Sequence, residues 1–212
     1  MLVRRSTATV VAALLAVGLT ALPAAAKTDK QIAKAASITV KDLGRGWDTS
    51  KHVEDDPSGI PSCADTDAAN DDATEYEFNS PDFSQENAEV TNSVFVFPNV
   101  KDAKSYLAAF QDPAAVDCVS DLLDEGLADT PDASVSVDEL DVSGGPANDG
   151  VGFLATVTIP TEEGEATVIL EAVAFRVGRG VTGITTQNVD EPLPITADLA
   201  IASIKRLKKG LK

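Results

Sequence analysis

Apolar residues alternate with polar or small ones through most of the second half of the chain. In "VGFLATVTIP" Val151, Phe153, Ala155, Val157 and Ile159 are interleaved with Gly152, Leu154, Thr156 and Thr158, a period of two that predicts a strand with one apolar and one mixed face. "SVSVDELDV", "ATVILEAVAFRV" and "GVTGITT" read the same way, and "SGGPANDG", "TEEG" and "GRG" between them are turn sequences of hairpin length or slightly more. Four successive strands joined this way predict an antiparallel meander whose mixed face stays uncovered. Two further strands are expected from "ATEYEF" and "AEVTNSVFVF", which are rich in aromatic and β-branched residues.

The period changes to that of a helix in four places. "TDKQIAKAAS" is a short helical stretch near residue 30, and "GRGW" after it frames a turn with Gly44 and Gly46 before Trp47 enters a strand. In "FPNVKDAKSYLAAF" Asn99 caps a helix whose residues Val100, Ala103, Leu107 and Phe110 share one side. A second helix starts at Asp112 with Pro113 in its first turn, carries Cys118 and Leu122, and ends at Gly126. "TADLAIASIKRLKK" closes the chain as a helix with Leu199, Ala202, Ser203 and Leu207 along one side. With no internal repeat and no separating linker, the fold class is α+β: one domain, an antiparallel meander sheet with helices packed on one face.

The first 26 residues stand apart. Arg4 and Arg5 precede an apolar run from Ala8 to Leu22, which ends at Pro23 and the triplet Ala24, Ala25, Ala26. This is the order of a secretory signal peptide cleaved near Ala26, leaving 27–212 as the exported domain. The run is too short and too punctuated for a membrane span, and no cysteine near the junction offers a lipid attachment point.

The formal charge of the chain is −17, and removing the leader takes away two positive charges and no negative ones. A chain this acidic repels phosphate backbones, which excludes nucleic acid as a partner. The basic "KRLKKGLK" at the C-terminus reads as a complement to a helix macrodipole.

Two cysteines in an exported chain are expected to form one disulfide, Cys63 to Cys118, worth about 4 kcal/mol on the chain-entropy estimate. Cys63 is followed by Asp65, Asp67, Asp71 and Asp72, a setting that opposes thiolate formation and so nucleophilic use. The same carboxylates lack the turn glycine and distal Glu of an EF-hand loop, so no metal is expected there. Catalytic motifs are missing: His52 is the only histidine, and neither G-x-S-x-G nor a phosphate loop occurs. No cofactor is implied.

Several of these features occur in a recognisable order: "LGRGW", a cysteine in the following loop, "VFVFPNVKDAKSYLAAF", a second cysteine after that helix, and "AFRVGRGVTGI" before a final helix. Together, over about residues 37 to 208, they resemble the extracellular sensor domain of mycobacterial receptor Ser/Thr kinases of the PknH type, found also in free secreted proteins and lipoproteins of actinobacteria. The resemblance implies the fold and a ligand-binding cleft. Kinase-attached members have two disulfides, and here only Cys63 and Cys118 are present. The expectation is thus a secreted, non-enzymatic ligand-binding or sensor-like domain of the bacterial cell envelope, taking a small molecule, lipid or glycan. Trp47, Tyr76, Phe95 and Tyr106 are the candidate ligand-binding residues, since pockets are mostly apolar with a few polar groups. The alternatives are a secreted hydrolase using carboxylates and a wall-associated module that binds a protein partner.

Overall fold

The structure is a computed structural model that describes residues 27–52, 76–142, 147, 149–162 and 164–212. The leader, Cys63 and the acidic run from Asp65 to Asp72 lie outside the described residues, so the disulfide is taken up below as a proposal.

Helix α1 (Asp29–Ala36) opens on a reciprocal cap: the Thr28 hydroxyl accepts from the Gln31 amide, and the Gln31 side chain accepts from the Thr28 amide. A single turn, α2 (Val40–Leu43), follows, and Asp42 reaches back to the Thr39 amide at 2.7 Å. The strands are β1 (Asp48–Ser50), β2 (Tyr76–Asn79), β3 (Asp82–Gln85), β4 (Ala88–Val96), β5 (Ser134–Glu139), β6 (Asp149–Thr161), β7 (Gly164–Val177) and β8 (Gly180–Val189). Between β4 and β5 come α3 (Val100–Phe110) and α4 (Ala114–Gly126), and α5 (Thr196–Gly210) ends the chain.

Strands β5 to β8 form the expected meander. The sheet is larger than the meander, however, with the order β1-β3-β4-β8-β7-β6-β5, all antiparallel, and with β2 also paired to β4. After β4 the chain crosses through α3 and α4 to the far edge, then returns strand by strand until β8 lies against β4. Strands β2 and β3 share one side of β4 end to end, broken at Ser80 and Pro81, where the Ser80 amide still donates to the Asn92 carbonyl. Proline has no amide to continue the ladder.

Helices cover both faces of this sheet, which corrects the expectation of one. On one face Val90, Val94, Val96, Val173, Phe175, Val177 and Ile184 pack beneath α1, α2 and α5, against Ile32, Leu43, Leu199, Ile204 and Leu207. On the other, α3 and α4 bring Ala103, Leu107 and Ala115 against Val151, Phe153 and Val181. The first of these is the mixed face of the sequence pattern. Its polar residues are buried in partnership: Asn92 donates to the Thr182 hydroxyl and the Gly183 carbonyl and accepts from the Ile38 amide, Thr182 meets the Ser203 hydroxyl at 2.7 Å, and Thr186 meets Thr196 at 3.0 Å. A strand face carrying Asn and Thr reads as solvated, yet once each group is hydrogen-bonded its burial costs little.

Two helix faces also differ in detail. Val100, placed on the inner side of α3 by its period, is exposed, and in α5 it is Ala200 and Ile204 that complete the buried stripe, with Ala202 only half-buried.

Candidate functional site

Antiparallel register sets which side chains share the α3 side of the sheet, because residues directly opposite project to the same face. One row runs Ser93, Gly183, Ala174, Val151, and the next runs Thr91, Thr185, Ala172, Phe153. Both rows are small or short at β4, β8 and β7. The sheet is therefore low there, while Phe95 in β4 and Tyr106 and Phe110 in α3 rise at one end. The result is a groove of about 870 Å³ with the two rows as its floor.

Gly183 shows how open the floor is. A Cβ built there meets only the Val173 carbonyl oxygen, 4.0 Å away. Three residues earlier, on the opposite face, a Cβ at Gly180 would come within 2.9 Å of Leu207 in α5. One glycine admits a helix and the other leaves space.

The aromatic end is built around Tyr106. Its ring centroid lies 5.1 Å from Phe95, 5.2 Å from Phe97 and 5.3 Å from Phe110, distances at which tilted ring pairs attract. Helix α3 presents Tyr106 because Asn99 fixes its start: the Asn99 side-chain oxygen accepts from the amides of Lys101 and Asp102 at 2.9 and 3.0 Å.

The strand that feeds this helix is clamped by Arg179 in the β7–β8 turn. The Phe97 amide donates to the Arg179 carbonyl at 2.9 Å, while the Arg179 guanidinium donates to the Phe97 carbonyl at 2.7 Å and to both Asp29 oxygens. These bonds hold the Asp29 carboxyl below its ordinary range and raise the Arg179 guanidinium. Arg176, nearly buried, donates to Asp149 at 2.7 Å and to the Gly178 carbonyl at 2.8 Å. The "GRG" turn, read from sequence as a hairpin connection alone, is thus the fastening of the aromatic end. Only its position after an apolar strand was available as a signal.

Polar lining comes from β2 and from the residues after β1. Glu77 and Asn79 of β2 stand opposite Phe95 and Ser93 of β4, and Asn79 accepts from the Ser93 hydroxyl at 2.5 Å. Lys51 and His52 border the groove after β1, with the His52 Nδ1 2.7 Å from Asp82.

Of the four candidates from sequence, the structure brings Phe95 and Tyr106 together at this groove, while Tyr76 borders it but packs its ring against the core on the opposite face. Trp47 does not border it and packs instead against the core under α1 and α5. Glu77, Gly183, Phe110 and Phe153 are groove residues that the sequence did not mark as such, since their placement depends on strand register and on the β4–β8 pairing. Among the described residues no group of three or more His, Cys, Asp or Glu is placed to hold a metal, and no helix is long and apolar enough to cross a membrane.

No family model matches the sequence, and no curated protein matches it significantly. Among solved structures, LpqN of Mycobacterium tuberculosis, described as involved in cell envelope biogenesis, is 11% identical with a TM-score of 0.26, covering 76% of each chain. A putative regulator of unknown function from Pseudomonas aeruginosa is 15% identical with a TM-score of 0.23, over 55% of this chain and 69% of its own. The extracellular domain of PknH from Mycobacterium tuberculosis superposes with a TM-score of 0.51 at 11% identity, over 87% of this chain and 98% of that domain. The crossover sheet with helices on both faces is therefore the fold of that extracellular domain.

Proposed function

We propose that the chain is a secreted, non-enzymatic binding domain of the bacterial cell envelope, which receives a small ligand in the groove between the sheet and α3. The observation that carries this reading is the groove itself: 870 Å³, floored by small residues and closed at one end by a four-ring cluster. Cavities of several hundred Å³, mainly apolar with a few polar groups, are the usual form of small-molecule sites.

Two further points support it. Glu77 is the only carboxylate among the described lining residues, whereas hydrolysis by carboxylates uses a facing pair. The fold is shared with an extracellular domain, in keeping with a leader over residues 1–26 and a mature domain from Lys27. A Cys63–Cys118 bridge, joining the segment before β2 to α4, belongs to the same proposal.

The test uses Gly183→Phe, which fills the groove from its floor without touching the core face. Thermal-shift screening of envelope lipids, glycans and small polar molecules should find ligands that raise the Tm of the wild type and leave Gly183→Phe unmoved, since saturation at 100 times Kd stabilises by about 2.7 kcal/mol. Ligands that stabilise both proteins equally would place binding elsewhere.

A further inference from the structure

The groove is uneven in charge, and this gives its ligand a chemistry. Resting on the binding role above, we propose that it takes a small organic cation with apolar substituents, of the quaternary or tertiary ammonium class, seated on the Phe95 and Tyr106 rings with its charge toward Glu77. The β2–β4 register sets Glu77 directly opposite Phe95, a spacing of about 5 Å between Cβ atoms. Phe95 in turn packs on Tyr106, and Tyr106 on Phe110. A cation resting on these rings meets their negative faces and lies within reach of the carboxylate.

The Glu77 side chain has no hydrogen-bond or ion-pair partner among the described residues. The nearby carboxylate Asp82 is already engaged by His52, and Asn79 by Ser93. Among the described lining residues Glu77 is then the one carboxylate, and its side chain is left for a ligand. The opposing charge is Lys51, which like Glu77 is exposed to solvent where ion pairing is weak, so the ring faces supply most of the attraction and Glu77 sets its direction. The chain as a whole carries −17, a field that draws cations in and turns anions away.

The experiment titrates the mature protein with choline and benzyltrimethylammonium, and with 3,3-dimethylbutan-1-ol, the neutral isostere of choline. Amide shifts around Gly183 and ring signals of Tyr106 are followed by NMR. Both cations are expected to bind about two- to fivefold more tightly than the neutral isostere, the preference that aromatic faces beside an exposed carboxylate supply. Glu77→Gln should weaken them by about two- to fivefold, Lys51→Gln should strengthen them, and Gly183→Phe should abolish the shifts. Equal binding of the neutral isostere, no response to Glu77→Gln, or no shift with either cation would overturn the cation assignment. The reading of the groove as a site would survive that result if neutral ligands are still lost in Gly183→Phe. Cation shifts that persist in Gly183→Phe would instead count against the groove.

Discussion

Replacing Asn92 tests whether the polar layer under α5 holds the fold together. Asn92 is only 2% exposed, and it ties β4 to β8 and to the link between α1 and α2: its oxygen accepts from the Ile38 amide at 3.0 Å, and its nitrogen donates to the Gly183 carbonyl at 2.7 Å and the Thr182 hydroxyl at 3.1 Å. Asn92→Leu nearly preserves size but strands the Ile38 amide and removes a donor from the Gly183 carbonyl. Thr182 keeps its bond to Ser203. Each stranded buried group costs about 1–3 kcal/mol, so the expected loss is about 2–5 kcal/mol. For a domain of this length that corresponds to a fall in Tm of about 4–20 °C.

Urea unfolding followed by fluorescence of Trp47, the single tryptophan, reads this directly, because that ring packs against the same core. Thr182→Val should cost less alone and should couple to Asn92→Leu by about 0.5–3 kcal/mol in a double-mutant cycle, since the two share a hydrogen bond. A loss below about 0.5 kcal/mol for Asn92→Leu would refute the argument. It would mean that water or a backbone shift satisfies the Ile38 amide, and that the layer is incidental.

The native protein isolated without reductant should show no free thiol, its Cys63 and Cys118 peptides should map as joined until reductant is added, and either Cys→Ala change should cost roughly 2–4 kcal/mol with little more from both together. Acid should weaken the fold through Asp29 and Asp42. Arg179 bonds hold Asp29 low; for Asp42 burial pushes the carboxyl up, but bonds from Arg206 and Thr39 outweigh it and the net direction is down. With folded values below the ordinary 3.8, their contribution is fully present above that pH and is lost as pH falls through the lowered values. Asp42→Asn should therefore cost about 1 kcal/mol at neutral pH and flatten the acid limb of the stability curve below 3.8, whereas an unchanged acid limb would show that other groups dominate. Calcium or a chelator should leave the Tm unchanged, and a rise of several degrees with calcium would instead assign the Asp65–Asp72 run a site.

Elements with strong local signals were legible in the sequence. The Asn99 cap, the meander from β5 to β8 and the closing helix follow from period and turn chemistry alone. The strand expected after Trp47 is β1, whereas β3 was not legible: it is four residues long and is held by pairing to the edge of β4, with β1 in turn paired to β3. Helix α2 had its signal in Thr39 and Asp42, a capping pair at the right spacing, which lies inside a segment too short to read as helical. The two-sided covering of the sheet was hidden because Asn92, Thr182 and Thr186 look like surface residues until their partners, 21 to 90 positions away for Thr182, are in place. For the groove, aromatic content pointed to Phe95 and Tyr106, but only register brings Glu77 and Gly183 beside them.

The alternation that puts Gly183 in the groove and Thr182 under α5 limits how the chain can change length. Deleting one residue inside β8 would turn Val181 and Gly183 toward α5 and push Thr182 and Ile184 into the groove, exchanging every contact on both sides at once. The same holds for β4 and β7. Insertions and deletions are thus confined to places where no pairing follows in phase, such as the β6–β7 hairpin tip near Glu162, or must come in twos. Distant relatives sharing this sheet should differ freely in the identity of groove residues while keeping β4, β7 and β8 free of single-residue length changes.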